Sequence, residues 1–151
     1  MKIRCAHQSD AEQIAENNVC LAKETEHLIL SRKEAQKGSE IVFSDREKGF
    51  YLVAEHEEKI IGQLFITSEW SDWRNQTIWW IHRVYIKKPW RKKGICTALM
   101  QKIKQMAQDL DIFALRLYLL KDNDLAKKIY KKLGFHDTPF LILEEMGQYN
   151  R

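Results

Sequence analysis

Residues 77–100 read TIWWIHRVYIKKPWRKKGICTALM, and this stretch decides the fold. Its first ten residues are rich in aromatic and β-branched side chains, which is typical of a buried strand. The residues that follow show helical spacing, with apolar side chains at Ile95, Leu99, Ile103, Met106 and Leu110. Residues 113–120, FALRLYLL, again favour a strand. A strand, a helix and a second strand in this order predict a parallel crossover unit.

The sequence before this unit predicts three strands and two helices. Residues 50–55 (FYLVAE) and 60–68 (IIGQLFITS) favour strands joined by a short polar turn, so the middle of the sheet is expected to be antiparallel. Residues 2–6 favour a short first strand. Ser9 and Ser31 each stand three residues before a glutamate, which is the capping-box spacing at the start of a helix.

The sequence after the crossover unit predicts a short helix that ends at Leu133-Gly134 and a last strand at 140–144. The whole order is β, α, α, three strands, α, β, α, β. This order predicts the α/β class (a mixed α+β sheet): a central, mostly antiparallel sheet with one parallel βαβ crossover, and helices on both faces.

Composition limits the function classes. A chain of 151 residues with 44% apolar residues fits a single domain, residues 1–151, with one core. It contains no apolar stretch long enough to span a membrane, and residues 1–13 lack the apolar core of a signal peptide. Three widely spaced cysteines disfavour disulfides or a zinc site and fit a reducing cytoplasm. A net charge of +4 is too small to indicate nucleic-acid binding.

The basic stretch between strand and helix has two readings. Five Lys and Arg residues between Lys87 and Lys93 form either a solvated surface, the commoner outcome for such a run, or a phosphate site. A helix that begins near Gly94 presents unpaired N–H groups to an anion, and Arg91 can add a forked contact. Neither a P-loop nor a dinucleotide-binding glycine motif is present.

Two motifs in order favour the phosphate reading. Arg91-x-x-Gly94-x-Cys96 resembles the R/Q-x-x-G-x-G/A motif of the GNAT superfamily of N-acetyltransferases, and residues 123–135 (NDLAKKIYKKLGF) resemble its N-x-x-A-x-x-x-Y-x-x-x-G-F signature. The resemblance, which extends to a bacterial branch of the superfamily, implies a GNAT-like fold and transfer of an acetyl group from acetyl-CoA to a primary amine. Cys96 departs from the motif, and we interpret it as a small helix residue rather than a nucleophile.

The resemblance also implies a set of cofactor-binding residues. The main chain of Val84 and Ile86 would pair with the pantetheine arm of coenzyme A, and Arg91 would supply charge. The pyrophosphate would be held by main-chain N–H groups around Lys92, Lys93, Gly94, Ile95, Cys96 and Thr97. Asn123 would contact the cofactor as well, although local sequence equally favours a plain helix N-cap there.

Three residues are candidates for the chemistry. The motif assigns Tyr130 as the general acid that protonates the leaving thiolate, against the alternative of an ordinary core tyrosine. His82 is a candidate general base, against that of a packed strand histidine. Strand alternation places it on the face of Trp80, Val84 and Ile86, opposite Tyr85. Glu69 is the third catalytic candidate.

The segment EWSDWR at 69–74 is predicted to be a loop that receives a cationic amine. In this interpretation Glu69 and Asp72 supply negative charge, and Trp70 and Trp73 supply cation–π contacts. The alternative is that the tryptophans pack on the core and the acids pair with Arg74. Glu24 is a weaker candidate for the same acceptor pocket.

Function therefore has one leading hypothesis and two rivals. The leading hypothesis is a metal-free N-acetyltransferase that acts on a small cationic amine or on a peptide or protein amine, with a homodimer possible. The first rival is a non-catalytic acyl-CoA-binding regulatory module. The second, a nucleic-acid binder, is the weakest, because no aromatic platform accompanies the basic turn.

Overall fold

The computed structural model describes residues 1–147 of the chain. They divide into two compact units, Met1–Tyr118 and a second unit that begins at Leu119. The elements of the first unit are β1 (Lys2–Cys5), α1 (Ala11–Glu26), α2 (Arg32–Ser44), β2 (Phe50–His56), β3 (Lys59–Ser71), β4 (Gln76–Ile86), α3 (Ile95–Asp109) and β5 (Ala114–Arg116). The second unit contains α4 (Asp124–Lys132).

The five strands form one sheet in the order β1-β2-β3-β4-β5. The first four strands are antiparallel neighbours, and β5 runs parallel to β4 after the α3 crossover. A two-residue turn joins β2 to β3, and both of its residues, Glu57 and Glu58, have positive φ, as the tight hairpin twist requires. This architecture confirms the predicted α/β class and the mixed sheet.

Helices cover both faces of the sheet in the first unit. On one face, Asn17 of α1 donates a hydrogen bond of 2.9 Å to the buried Gln63 side chain of β3. On the other face, α3 packs close to Gly62, where an added Cβ would lie 3.0 Å from Ile95 Cγ2 and 2.8 Å from Ile86 Cδ1. A larger residue than glycine at position 62 would therefore push α3 away from the sheet.

The pairing of β3 with β4 shifts register near the middle of β4. Gln63 lies opposite Tyr85, but Phe65 lies opposite His82, so β4 carries one extra residue between these pairs. Arg83, within this bulge, has a left-handed backbone with a φ of 54°. A β-bulge generally bends its strand, and this bulge lies just beyond the part of β4 that pairs with β5.

Because of the extra residue, the faces of the β4 side chains do not follow simple alternation by residue number. His82 and Tyr85 both lie on the face covered by α1, together with Trp80, because their partners on β3 are two residues apart. Ile86 lies on the α3 face, and Val84 alternates onto that face as well. The prediction that grouped His82 with Val84 and Ile86, opposite Tyr85, is therefore wrong, because alternation by sequence number ignores the extra residue.

Helix capping differs from the prediction at one of two sites. No side-chain capping bond forms at the N-cap of α1, so the cap predicted at Ser9 is absent. The buried carboxylate of Asp10 instead accepts a hydrogen bond of 2.7 Å from the His7 N–H, in the short 3-10 turn Gln8–Asp10 that precedes the helix. Before α2, Ser31 accepts from the Glu34 N–H at 3.3 Å, as predicted.

The structure differs from the prediction at two strands, of which one is shorter than predicted and the other does not form. The strand predicted at 113–120 is reduced to Ala114–Arg116, which pairs with Ile78–Trp80 before β4 reaches its bulge. No strand forms at 140–144, where the four apolar residues from Phe140 are all exposed. High strand propensity alone does not form a strand, because a strand also needs a partner to complete its hydrogen-bond ladder.

Candidate active site

The turn between β4 and α3 leaves an open approach to a helix N-terminus. Gly94 precedes α3 with a φ of 81°, and a Cβ built on it would meet no atom within 4 Å. The first helical bond runs from the Ala98 N–H to the Gly94 carbonyl, at 3.0 Å. The N–H groups of Ile95, Cys96 and Thr97 precede that bond and have no partner inside the helix. This donor set fits a phosphate group.

Glu24 and two of the basic residues form a network beside this turn. Arg91 Nη2 donates to Glu24 Oε2 at 2.7 Å, and Arg91 Nε donates to the Ile86 carbonyl at 2.8 Å. Lys88 Nζ lies 3.8 Å from Glu24 Oε1. The guanidinium fork predicted to face a phosphate is thus directed at protein groups. Glu24, predicted for the acceptor pocket, lies at the basic turn instead.

The same carboxylate holds the phenol of Tyr85. Tyr85 OH donates to Glu24 Oε1 at 3.1 Å, and burial, with the negative charge of Glu24, raises the pKa of Tyr85 to about 12. Burial alone would raise the pKa of Glu24, but the hydrogen bond and charge of Arg91 outweigh it and lower that pKa. The network therefore stays charged at neutral pH and joins the last turn of α1 to the basic turn.

Lys92 and Lys93 complete the turn. Lys92 has a left-handed backbone with a φ of 61°, and Lys93 Nζ lies 5.2 Å from the centre of the Trp90 ring. Both side chains are exposed. They surround the helix N-terminus with positive charge, as expected for either a phosphate site or a solvated surface.

The edge of β4 next to the bulge is where Val84 and Ile86 are predicted to pair with pantetheine. The ladder with β5 covers Ile78–Trp80 and, among the described residues, goes no further along β4. The main chain from residue 81 onward therefore lacks a strand on that side. The Ile86 carbonyl already accepts from Arg91, so a ligand would share this oxygen.

His82 lies two residues before Val84, in a partly buried aromatic setting. Its Nε2 is 2.8 Å from Thr67 Oγ1, and its ring centre is 6.0 Å from that of Phe65. Burial, with a smaller contribution from the charge of Arg83, lowers the pKa of His82. The imidazole is therefore neutral at pH 7 and available to accept a proton.

Glu69 and Trp80 continue the same face of the sheet beyond His82. Trp80 Nε1 donates to Glu69 Oε1 at 2.8 Å. Tyr118, which sequence reasoning did not single out, completes this group, with ring-centre distances of 6.3 Å to Trp80 and 5.7 Å to His82. No local signal marked it, because the strand predicted at 113–120 contains Tyr118, whereas the observed β5 ends at Arg116.

The structure does not bring the predicted acid-and-tryptophan loop together. β3 continues to Ser71, so Glu69 and Trp70 are strand residues and point to opposite faces. Trp73 is 88% exposed, and its main-chain N–H donates to Asp72 Oδ1 at 3.0 Å within the hairpin turn. The alternative also fails, because neither tryptophan is buried and Arg74 stacks on Phe113 at 4.4 Å instead of pairing with the acids.

Cys96 is a half-buried free thiol in the first turn of α3. Burial raises its pKa, which opposes the lowering expected at a helix N-terminus. The raised pKa disfavours the thiolate and so supports the interpretation of Cys96 as a small helix residue rather than a nucleophile.

The second unit contains the other two motif residues. Asn123 caps α4, with its Oδ1 accepting from the Ala126 N–H at 3.2 Å, as the plain N-cap alternative predicted. Tyr130 lies in α4, and its ring makes an edge-to-face contact with Phe135 at 5.8 Å. The roles assigned to Asn123 at the cofactor and to Tyr130 as an acid stay predictions.

Comparison with known proteins decides the family. Residues 16–135 match the Acetyltransferase (GNAT) family. The chain belongs to this family. The matched GNAT region includes residues of both units, the Gly94 turn and α4. Members of the family are acyltransferase enzymes that use acetyl-CoA. Separately, none of the helices in the described residues has the length and apolar character of a membrane span.

Solved structures agree with the GNAT assignment. A possible acetyltransferase from Clostridium difficile 630 is 37% identical, with a TM-score of 0.91 over 97% of both chains. A predicted acetyltransferase with acetyl-CoA from Clostridium acetobutylicum is 21% identical, with a TM-score of 0.77 over 95% of both chains. The latter likeness concerns the fold alone.

Curated relatives match over shorter stretches. The thialysine N-epsilon-acetyltransferase of Bos taurus is 30% identical over 78 residues, 52% of this chain and 45% of the relative. An uncharacterized N-acetyltransferase of Bacillus subtilis (strain 168) is 25% identical over 91 residues, 60% of this chain and 57% of the relative. The chain thus spans about half the length of the curated relatives that it matches.

Proposed function

We propose that this GNAT chain is an N-acetyltransferase that transfers an acetyl group from acetyl-CoA to a primary amine, either a small cationic amine or a peptide or protein amine. The observation that carries the proposal is the open, left-handed turn at Gly94, which presents three helix N–H groups beside the uncovered edge of β4. The related thialysine enzyme supports an amine acceptor, because its name places the transfer on an ε-nitrogen.

The residues of the turn suit the diphosphate of coenzyme A. Main-chain N–H groups of Ile95, Cys96 and Thr97 would hold it, and Lys92 and Lys93 would add charge. The main chain of Val84 and Ile86 would bind the pantetheine arm, and Asn123 would contribute from the start of α4. Arg91 would act mainly by shaping the turn through its bonds to Glu24 and the Ile86 carbonyl.

Acetyl-CoA supplies an activated thioester, whose C–S bond breaks as the new C–N bond forms, so that one proton must leave the amine and one must reach the thiolate. We assign the first proton to His82, which is neutral at pH 7 and lies next to the bulge of β4. We assign the second proton to Tyr130 of α4. Positioning of the two reactants supplies much of the remaining rate enhancement.

Two broader expectations accompany this proposal. The whole chain, residues 1–151, would act as one N-acetyltransferase domain, since the family match runs through both units. Its three free thiols suit a reducing cytoplasm.

The test measures thiol release from acetyl-CoA with a panel of primary amines. We expect turnover by the wild-type chain and a fall in kcat of about 100-fold in Tyr130→Phe, the usual size of a general-acid contribution. Tyr51→Phe is the matched control, because Tyr51 is a buried core residue of the sheet. Binding of acetyl-CoA without turnover of any amine would overturn the proposal in favour of the regulatory acyl-CoA-binding module.

A further inference from the structure

Three side chains form an open corner on the α1 face of the sheet, away from the basic turn. The indole of Trp80 and the phenol of Tyr118 face each other at 6.3 Å with an angle of 55° between their rings. The carboxylate of Glu69 lies at the rim, bonded to the indole N–H through Oε1. Among the described residues this is the one hydrogen bond of Glu69, so Oε2 is left to a ligand.

This corner has the chemistry of a cation site. Aromatic faces attract an alkylammonium group through their quadrupoles, and a partly exposed carboxylate adds a charged hydrogen bond. Tyr118 is 54% exposed, so the corner is reachable from solvent. The nearest imidazole, that of His82, contacts Tyr118 at 5.7 Å and carries no competing charge at pH 7.

A nitrogen bound in this corner is not the nitrogen that reacts. The corner stabilises the charged ammonium form, whereas attack on a thioester requires the neutral amine. The reacting nitrogen must therefore lie elsewhere, near a group that accepts a proton. His82 is such a group, and it lies one step along the same face of β4, about 7 Å from Trp80 by strand geometry.

The order of groups along β4 then fits an acceptor with two nitrogens. Glu69 and Trp80 come first, His82 follows, and the bulge with the uncovered edge at Val84 comes last. We propose that Glu69, Trp80 and Tyr118 bind a second positive charge of the acceptor, so that the substrate class is a small aliphatic amine bearing another ammonium group. This inference rests on the proposed acetyl transfer and names its acceptor.

The test compares two amines of equal length, 1,4-diaminobutane and n-pentylamine, in kcat/KM for thiol release. The wild-type chain is expected to favour the diamine by about tenfold or more, the factor that corresponds to ~1.4 kcal/mol. Glu69→Gln and Tyr118→Leu should each remove most of that preference. Tyr118→Phe, which keeps the ring, should retain it. Glu57→Gln, in the exposed β2–β3 turn, controls for loss of one surface charge.

The outcomes separate this inference from the function on which it rests. Turnover of both amines at similar kcat/KM overturns the cation site and leaves the acetyltransferase proposal intact. Calorimetric titration with 1,4-diaminobutane covers the opposite case. Diamine binding that Glu69→Gln weakens and Glu57→Gln does not, without turnover, supports the cation site while overturning the transfer. If the diamine is neither bound nor turned over, the cation site is overturned.

Discussion

At the Ile86 end of β4 the groups offered to a ligand belong to the main chain, whereas at the Ile78 end they belong to side chains. The first end has Gly94, an open helix N-terminus and an uncovered strand edge. The second end has an imidazole, an indole and a carboxylate on one face. Main-chain recognition depends on backbone shape and tolerates changes such as Cys96, while side-chain recognition depends on the identity of each residue. We therefore expect cofactor binding and acceptor chemistry to separate in mutants of the two ends.

The largest expected effect is at the side-chain end. His82→Gln keeps a polar side chain beside Thr67 but removes the proton acceptor, so kcat should fall about 100-fold. The Kd for acetyl-CoA should stay within about twofold, since His82 lies outside the turn. Steady-state kinetics with a separate calorimetric Kd for acetyl-CoA checks both values. A Kd for acetyl-CoA that rises by as large a factor as kcat falls would contradict the expected separation of cofactor binding from acceptor chemistry.

An intermediate effect is expected at the main-chain end. Gly94→Ala forces a Cβ into a left-handed conformation at a cost of about 1–2 kcal/mol and places it where an anion approaches. The Kd for acetyl-CoA should rise about tenfold, with KM for the amine little changed. Gly38→Ala in α2 is the matched control, because its Cβ also meets no atom within 4 Å but its backbone is helical. That control should stabilise the fold by about 0.5–1 kcal/mol.

The smallest expected effect sharpens the role of His82. Its pKa lies below its ordinary value, so in the folded protein the neutral form persists to lower pH than in the unfolded chain. Activity that needs neutral His82 should therefore fall only as the pH drops below about 6.5. Arg83→Gln removes a nearby positive charge and should move this acid limb to higher pH. A pH profile of kcat/KM measures the shift, and a move to lower pH would contradict the assignment.

How much the sequence predicted follows the same division. The first four strands, the crossover and the Gly94 turn were predicted, because periodicity and a glycine motif report on the main chain. The face of His82 was mispredicted, because one bulge residue, Arg83, breaks the count along β4. The Arg91–Glu24 pair joins residues 67 positions apart, and local sequence gives no sign of it. Tyr118 was missed for a similar reason, since its partners Trp80 and His82 come from another strand.

The predicted strand at 140–144 shows a different limit. Its composition favours a strand, but pairing depends on an available edge that the segment's own residues do not specify. The pocket predicted from residues 69–74 also depended on structure beyond the segment itself. Because β3 extends to Ser71, Glu69 and Trp70 are successive strand residues and face opposite sides of the sheet.

Although the bulge adds one residue at Arg83, the side chains of His82 and Tyr85 still lie on the same face as their β3 partners, Phe65 and Gln63. A chain shortened by that single residue would have a regular ladder with the same imidazole, indole and phenol on the same side. What it would lose is the bend that a bulge imposes on its strand, together with the positive charge of Arg83 that lowers the pKa of His82. The bend of β4 and the faces of its side chains are thus separable, whereas the charge of Arg83 acts on His82 directly.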